Sequence, residues 1–277
     1  MKKRILLLLM AAVVSLGCVG CTKDIPTESV HEFAAEDFVM RIDNPYVTPH
    51  STELFYTMTV LNDVPDAEIT YGEAFVIEKQ NEDGSWTRAL PADKETPFTL
   101  TAYHIYGHSV CESIPINSDL YGSLSVGHYR LLKYINGNIP VSTEFDVIPS
   151  DIRFELYDAE NVTTETPMLK YSFIYQGDGT REYMCGIEFK LEKRDENGKW
   201  QYVQPKFFFT QIGYTLSQKY PEFDLGFLPI AGDSYTEPLT AGEYRVSAEL
   251  FNDNELVPQP RKNRFLRERF YAEFTIN

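Results

Sequence analysis

The sequence predicts an all-β protein whose main part is two tandem copies of one sandwich domain. Three observations lead there: an internal repeat at an offset of 114 to 115 residues, short runs in which apolar and polar residues alternate, and Asp-Gly or Asn-Gly pairs set between such runs. Beyond the amino-terminal segment, no stretch has the 3.6-residue periodicity of a long amphipathic helix.

The repeat comes first, because it sets the organisation. Gly72-Glu73-Ala74-Phe75-Val76-Ile77-Glu78-Lys79, with Trp86 after a turn, matches Gly186-Ile187-Glu188-Phe189-Lys190-Leu191-Glu192-Lys193, with Trp200 after a turn, at an offset of 114. Upstream, Asp37 to Ile42 matches Asp151 to Leu156 at the same offset, and Tyr56-Thr57-Met58 matches Tyr171-Ser172-Phe173 at 115. Downstream, Val126-Gly127-His128-Tyr129-Arg130 matches Ala241-Gly242-Glu243-Tyr244-Arg245, again at 115.

Within these blocks Phe38, Met40 and Ile42 alternate with Val39 and Arg41. Leu54, Tyr56, Met58 and Val60 alternate with Phe55, Thr57 and Thr59. Successive side chains of a strand point to opposite faces, so this period predicts strands with one buried face. Asp83-Gly84 and Asn197-Gly198 suit the positive φ angles of tight hairpins. Short strands at regular spacing with turn residues between them indicate a sandwich. The first domain is assigned to residues 36–149 and the second to 150–277, with the boundary at Pro149-Ser150 and little linker between them. The closing strands align Glu144-Phe145 with Glu273-Phe274 at an offset of 129. The second copy therefore carries about 14 extra residues in its last hairpin, within Asn252 to Arg269.

The amino terminus has a different character. Lys2, Lys3 and Arg4 precede an uncharged apolar run from Ile5 to Val14, too short to span a bilayer and suited to the core of a signal peptide. Ser15-Leu16-Gly17-Cys18 and then Val19-Gly20-Cys21 follow, and small residues before a Cys at this place resemble the bacterial lipobox. The resemblance implies a lipoprotein signal peptide over residues 1–17, lipidation at Cys18 with Cys21 as the alternative, and an exported chain. That chain would be anchored to the bacterial cell membrane on its extracytoplasmic face. Residues 18–35 would be a tether, of which the stretch from Val19 to Ala35 reaches at most roughly 56 Å when extended at about 3.3 Å per residue.

The net charge is −16; the first 17 residues hold three of the 25 basic side chains and none of the acids, so the remainder carries −19. A surface this acidic repels nucleic acid. Cys111 and Cys185 fall in different domains at non-equivalent positions and are expected as free thiols.

Two pieces of the repeat resemble a family of bacterial immunoglobulin-like domains found in surface lipoproteins. One is Tyr71 to Lys79 with Trp86; the other is Asp119-Leu120-Tyr121-Gly122-Ser123-Leu124 followed by Gly127-His128-Tyr129-Arg130. The second copy keeps Phe189 to Lys193, Trp200 and Gly242 to Arg245 but lacks the Leu-Tyr-Gly segment, and Ser118 stands where an aromatic is expected. The resemblance implies the fold and no particular activity. Tyr129 and Tyr244, two residues after a glycine, resemble the tyrosine corner of sandwiches. Trp86 and Trp200, after their turns, are expected to cover an edge of the core.

Candidate chemistry is sparse. His104 and His108 would lie about 13 Å apart on one strand, too far to share an ion. The acidic turns at Asn81 to Gly84 and Asp195 to Gly198 lack calcium-loop spacing, and a looser site at Asp63, Asp66 and Glu68 is read as solvated turn acids. Gly232-Asp233-Ser234 resembles a hydrolase nucleophile motif, but the second domain has no His to act as base. No catalytic residue, metal or cofactor is expected. The one cationic cluster is in the extra hairpin: Arg261, Lys262, Arg264, Arg267 and Arg269, candidates for binding an anion. The expected function is a non-catalytic binding or adhesion module, held at the membrane by its lipid and facing an anionic wall polymer, glycan or protein partner. The alternative is a structural or accessory subunit of a cell-envelope complex. Metabolic labelling with a palmitate analogue should mark the wild-type protein, and Cys18→Ala should abolish or shift the label. Unchanged labelling moves the site to Cys21, and unchanged labelling of the double variant removes the lipoprotein reading.

Overall fold

The computed structural model describes residues 32–62, 68–92, 98–99, 101–210, 212–257 and 264–277. Phe33–Asn277 form one compact unit. The signal-peptide residues, Cys18, Cys21, Asp63, Asp66, Arg261 and Lys262 lie outside the described residues.

The chain is all-β, and the two copies build the same nine-stranded sandwich in the same order. In the first copy the strands are β1 (Phe38–Ile42), β2 (Glu53–Val60), β3 (Thr70–Gly72), β4 (Val76–Gln80), β5 (Trp86–Leu90), β6 (Ala102–His104), β7 (Ser109–Pro115), β8 (Gly127–Ile135) and β9 (Ile139–Val147). In the second they are β10 (Ile152–Leu156), β11 (Met168–Tyr175), β12 (Tyr183–Cys185), β13 (Lys190–Arg194), β14 (Trp200–Tyr202), β15 (Tyr214–Leu216), β16 (Glu222–Pro229), β17 (Gly242–Val257) and β18 (Arg264–Ile276). Each copy pairs a small sheet, β1-β2-β7 or β10-β11-β16, with a larger one centred on β8 or β17. Every pairing within the sheets is antiparallel.

Alternation does what the sequence predicts. Tyr129, Leu131 and Ile135 of β8 enter the first core with Leu54, Tyr56 and Met58 of β2. Tyr244, Val246 and Leu250 of β17 enter the second core with Tyr171 and Phe173 of β11. The turns at Gly84 and Gly198 have φ of 80° and 78°, so each Asx-Gly pair closes its hairpin as expected. Both tyrosine corners are present. The Tyr129 hydroxyl donates to the Ser125 carbonyl at 2.7 Å, and that of Tyr244 to the Thr240 carbonyl at 2.8 Å. Gly127 and Gly242 just before them have φ of 155° and 147°, and a Cβ there would sit 2.6 Å from Lys79 Cε and 2.9 Å from Lys193 Cε. The positive φ favours glycine at both positions, and a Cβ would push the lysine end aside.

Two expectations are corrected. Trp86 and Trp200 do not cover a core edge. They lie on the outer face of the larger sheet, where Trp86 carries the Arg130 guanidinium at 4.5 Å and Trp200 that of Arg245 at 4.8 Å. His104 and His108 do not share a strand, because β6 ends at His104 and the chain turns at Gly107, φ 79°.

The extra residues of the last hairpin are β-structure. β17 and β18 run 16 and 13 residues, against nine each for β8 and β9. The extension reaches back to the first copy. Thr52 N–H donates to the Arg267 carbonyl at 3.0 Å, and Arg269 N–H to the His50 carbonyl at 2.8 Å. Leu266 packs with Tyr46 and Phe55 in a cluster separate from both cores, with Ile148 beside it. The buried Asn252 side chain donates to the Tyr46 hydroxyl at 2.8 Å, and His50 stacks on Phe270 with ring centres 4.1 Å apart. Phe55, an apolar residue on the outward face of β2, is thus covered by the neighbouring copy. Leu266→Ala should destabilise the protein by about 2 to 4 kcal/mol, since it removes a buried side chain from this cluster and leaves a cavity; calorimetric melting measures it.

Candidate binding cleft

A concavity of about 940 Å³ lies on the second copy, between the chain leaving β14 and the outer face of the β17–β18 hairpin. Its aromatic wall follows from strand-like alternation. Phe207 and Phe209 turn inward onto Phe189, with centres 6.1 and 4.9 Å away. Phe208, between them, is thrown outward and is 98% exposed. Tyr202 and Ile212, both largely exposed, flank it.

The opposite wall is cationic. Arg267 lies 5.2 Å over the Phe251 ring. Arg269 Nε donates to Glu249 Oε1 at 2.8 Å, while Arg267 Nη1 stands 4.0 Å from Glu249 Oε2. Two guanidinium groups share one carboxylate, so Glu249 cannot neutralise both. Lys190 pairs with Glu192 at 2.6 Å, and Lys206 with Asp233. Among the lining residues four cations, Lys190, Lys206, Arg267 and Arg269, face two carboxylates, Glu188 and Glu249. With Glu192 and Asp233 counted as the partners of Lys190 and Lys206 the charges balance, and Arg267 and Arg269 remain the pair that shares one carboxylate.

Of the five basic residues singled out in the sequence, the structure places Arg267 and Arg269 on this wall. Arg264 begins β18, and Arg261 and Lys262 lie outside the described residues. The aromatic wall was not anticipated. Its signal is the run Phe207-Phe208-Phe209, in which a period of two cannot bury every ring.

The outer faces of the two larger sheets share one arrangement. In the first copy Arg130 donates to Glu78 at 2.6 Å while stacked on Trp86. In the second, Arg245 donates to Glu192 at 2.6 Å and lies between Trp200 and Tyr271, 4.8 and 4.9 Å from the ring centres. Arg245 also binds Asp119 of the first copy at 2.7 Å. Burial opposes the Arg245 charge, yet the carboxylates of Asp119 and Glu192 outweigh it and raise the guanidinium pKa above its ordinary value. The repeated Glu-Lys, Trp and Gly-x-Tyr-Arg pieces are therefore structural: tyrosine inside, arginine outside, both fixed by the same strands.

Lys133, on the core face of β8, is buried. Its amine donates to the carbonyls of Gly72 and Glu73 at 2.6 and 3.2 Å. Burial pushes its pKa down to about 8, against the pull of Glu112 and Glu73. The second copy has Ala248 at this position. Cys111 and Cys185 are both free, and burial pushes the Cys185 thiol up to about 12. No group of His, Cys, Asp and Glu among the described residues is arranged to hold a metal ion. No helix among them is long and apolar enough to cross a membrane.

Two antiparallel sandwiches of this topology, each with a tyrosine corner, define a pair of immunoglobulin-like domains. The chain belongs to the bacterial Ig-like domain family, which matches residues 34–146 and again 153–272. Ubiquitin carboxyl-terminal hydrolase 15 of Rattus norvegicus is 24% identical over 152 residues, 54% of this chain and 15% of that protein. Among solved structures, elastase-activated α-2-macroglobulin of Escherichia coli has a TM-score of 0.29 at 11% identity, covering 87% of this chain and 22% of that one. Adhesin InvE of Yersinia pseudotuberculosis has a TM-score of 0.25 at 12% identity, covering 88% of this chain and 60% of that one. The chain spans less than two thirds of the length of each of these proteins.

Native protein at about pH 8 should leave Cys185 unmodified by a thiol reagent, because the thiolate is the nucleophile and little forms in this site. Unfolding should expose it. Prompt modification of Cys185 in the folded protein would contradict its burial.

Proposed function

We propose that the protein is a non-catalytic binding or adhesion module of the bacterial cell surface. In this reading a lipid on Cys18 or Cys21 holds it at the membrane, and the cleft of the second domain takes an anionic glycan or wall polymer. The observation that carries the reading is the cleft itself: it is lined by an almost fully exposed Phe208 and by Arg267 and Arg269, two guanidinium groups that share the single carboxylate of Glu249. Binding clefts combine aromatic surface with a few convergent polar groups. A sugar ring offers an apolar C–H face to an aromatic ring, and its carboxylate or phosphate offers paired acceptors to a guanidinium fork. Arg261, Lys262 and Arg264 belong to the same stretch of sequence and add to its positive charge.

Binding to polyanionic wall material should fall steeply with salt, since exposed charges are screened over roughly 8 to 10 Å. Replacing Arg261, Lys262 and Arg264 together with Ser, or Phe208 with Ala, should weaken binding several-fold while moving the melting temperature little. A large loss of melting temperature with unchanged binding would instead mean that these residues serve the fold alone.

A further inference from the structure

The hairpin that forms the cleft wall also carries a carboxyl group on its other face. Glu268 is 2% exposed. It pairs across the hairpin with Leu250, at the place where the first copy pairs Ile135 with Ile139. An acid thus occupies an aliphatic position, at the junction of the two domains. Ser150 Oγ donates to its Oε2 at 3.2 Å, and Oε1 has no hydrogen-bond partner among the described residues.

Each element around Glu268 contributes polar or titratable groups. The segment ahead of β2 brings Tyr46, Thr48, His50 and Ser51, with Ser51 bridged to Glu268 through the backbone. The linker brings Ser150 and Asp151, the start of β12 brings Arg181 and Tyr183, and β17 brings Asn252. Arg181 is the cation within reach, but its guanidinium binds Asp151 at 2.9 Å and stacks on the Tyr46 ring at 4.1 Å. A carboxylate at Glu268 is therefore buried with one oxygen unsatisfied and no ion pair of its own, whereas the neutral acid avoids the cost of a buried charge.

We propose that Glu268 is a protonation-controlled latch: as the neutral acid it lets the extended hairpin stay docked on Tyr46–Thr52, and as the carboxylate it loosens that contact.

Burial pushes the Glu268 carboxyl up to about 7, against the hydroxyls of Ser150 and Thr48 and the charge of Arg181; Asp151 adds to the rise. A raised carboxyl pKa gives stability that is complete below its ordinary value near 4.5 and is lost as pH rises through about 7. His50 acts in the opposite sense, because burial lowers its pKa and charging it at acid pH opposes docking. Glu268 thus loosens the latch as pH rises from about 4.5 toward about 7, and His50 strains it as pH falls.

The test is amide hydrogen exchange on the intact protein. Its reporters are the two cross-domain donors, Thr52 N–H and Arg269 N–H, with Leu131 and Val246 of the central strands as references. After correction for intrinsic exchange, protection at Thr52 and Arg269 should fall by up to about tenfold for each pH unit between about 4.5 and about 7 and level off above that, while the references hold. Glu268→Gln, neutral at every pH, should keep both amides protected, and Ser150→Ala should shift the fall to higher pH. Flat protection at both amides in the wild type would overturn the proposal. So would a fall in Glu268→Gln equal to that of the wild type, or a Glu268 carboxyl carbon signal titrating near 4.5.

Discussion

Each domain depends on the two-faced character of one central strand. β8 and β17 begin with a glycine, place a tyrosine inward two residues later, and place an arginine outward at the next position. The tyrosine closes the corner by bonding the backbone four residues upstream. The arginine fastens the neighbouring strand through a glutamate and the following hairpin through a tryptophan. Because successive side chains must point to opposite faces, core and outer surface are fixed by adjacent residues, and neither can slip register without the other. Glycine suits the entry because the backbone there takes a positive φ.

The fold was legible because its signals are local or repeated: alternation within strands, Asx-Gly turns, and two copies in register. The site was less so, because its parts meet only through tertiary pairing. Phe55 breaks the polar outward pattern of β2, but its covering partner, Leu266, lies more than 200 residues away. The basic residues near the carboxyl terminus were visible as a cluster. Their strand register was not, nor was Glu249, which stands between Arg267 and Arg269. The tryptophans were misplaced for a related reason: both faces of a sheet can hold an indole, and the arginine that selects the outer face comes from a strand distant in sequence. The separation of His104 from His108 turns on one glycine with φ of 79°, which ends the strand early.

The long hairpin serves two surfaces at once. Leu266, Glu268 and Phe270 face the junction and the second core, while Arg267 and Arg269, between them, line the cleft. Backbone bonds from this stretch to His50 and Thr52 hold the cleft wall to the other domain. A change in docking at the junction would therefore be felt by the guanidinium groups on the reverse side, since a strand cannot shift one face alone.

The same hairpin gives the tandem a polarity. A hairpin of one copy sits on a different patch of the other, so the contact is heterologous, the kind that propagates into an open filament when every unit carries both halves. Here each half occurs once. β8 and β9 are too short to reach backward. At the acceptor position filled by Phe55 in the first copy, the second has Lys170, paired with Asp224 at 3.3 Å. A charged residue thus stands where the first copy has a buried ring, so the seat that takes the hairpin is a property of the first copy and is not repeated in the second.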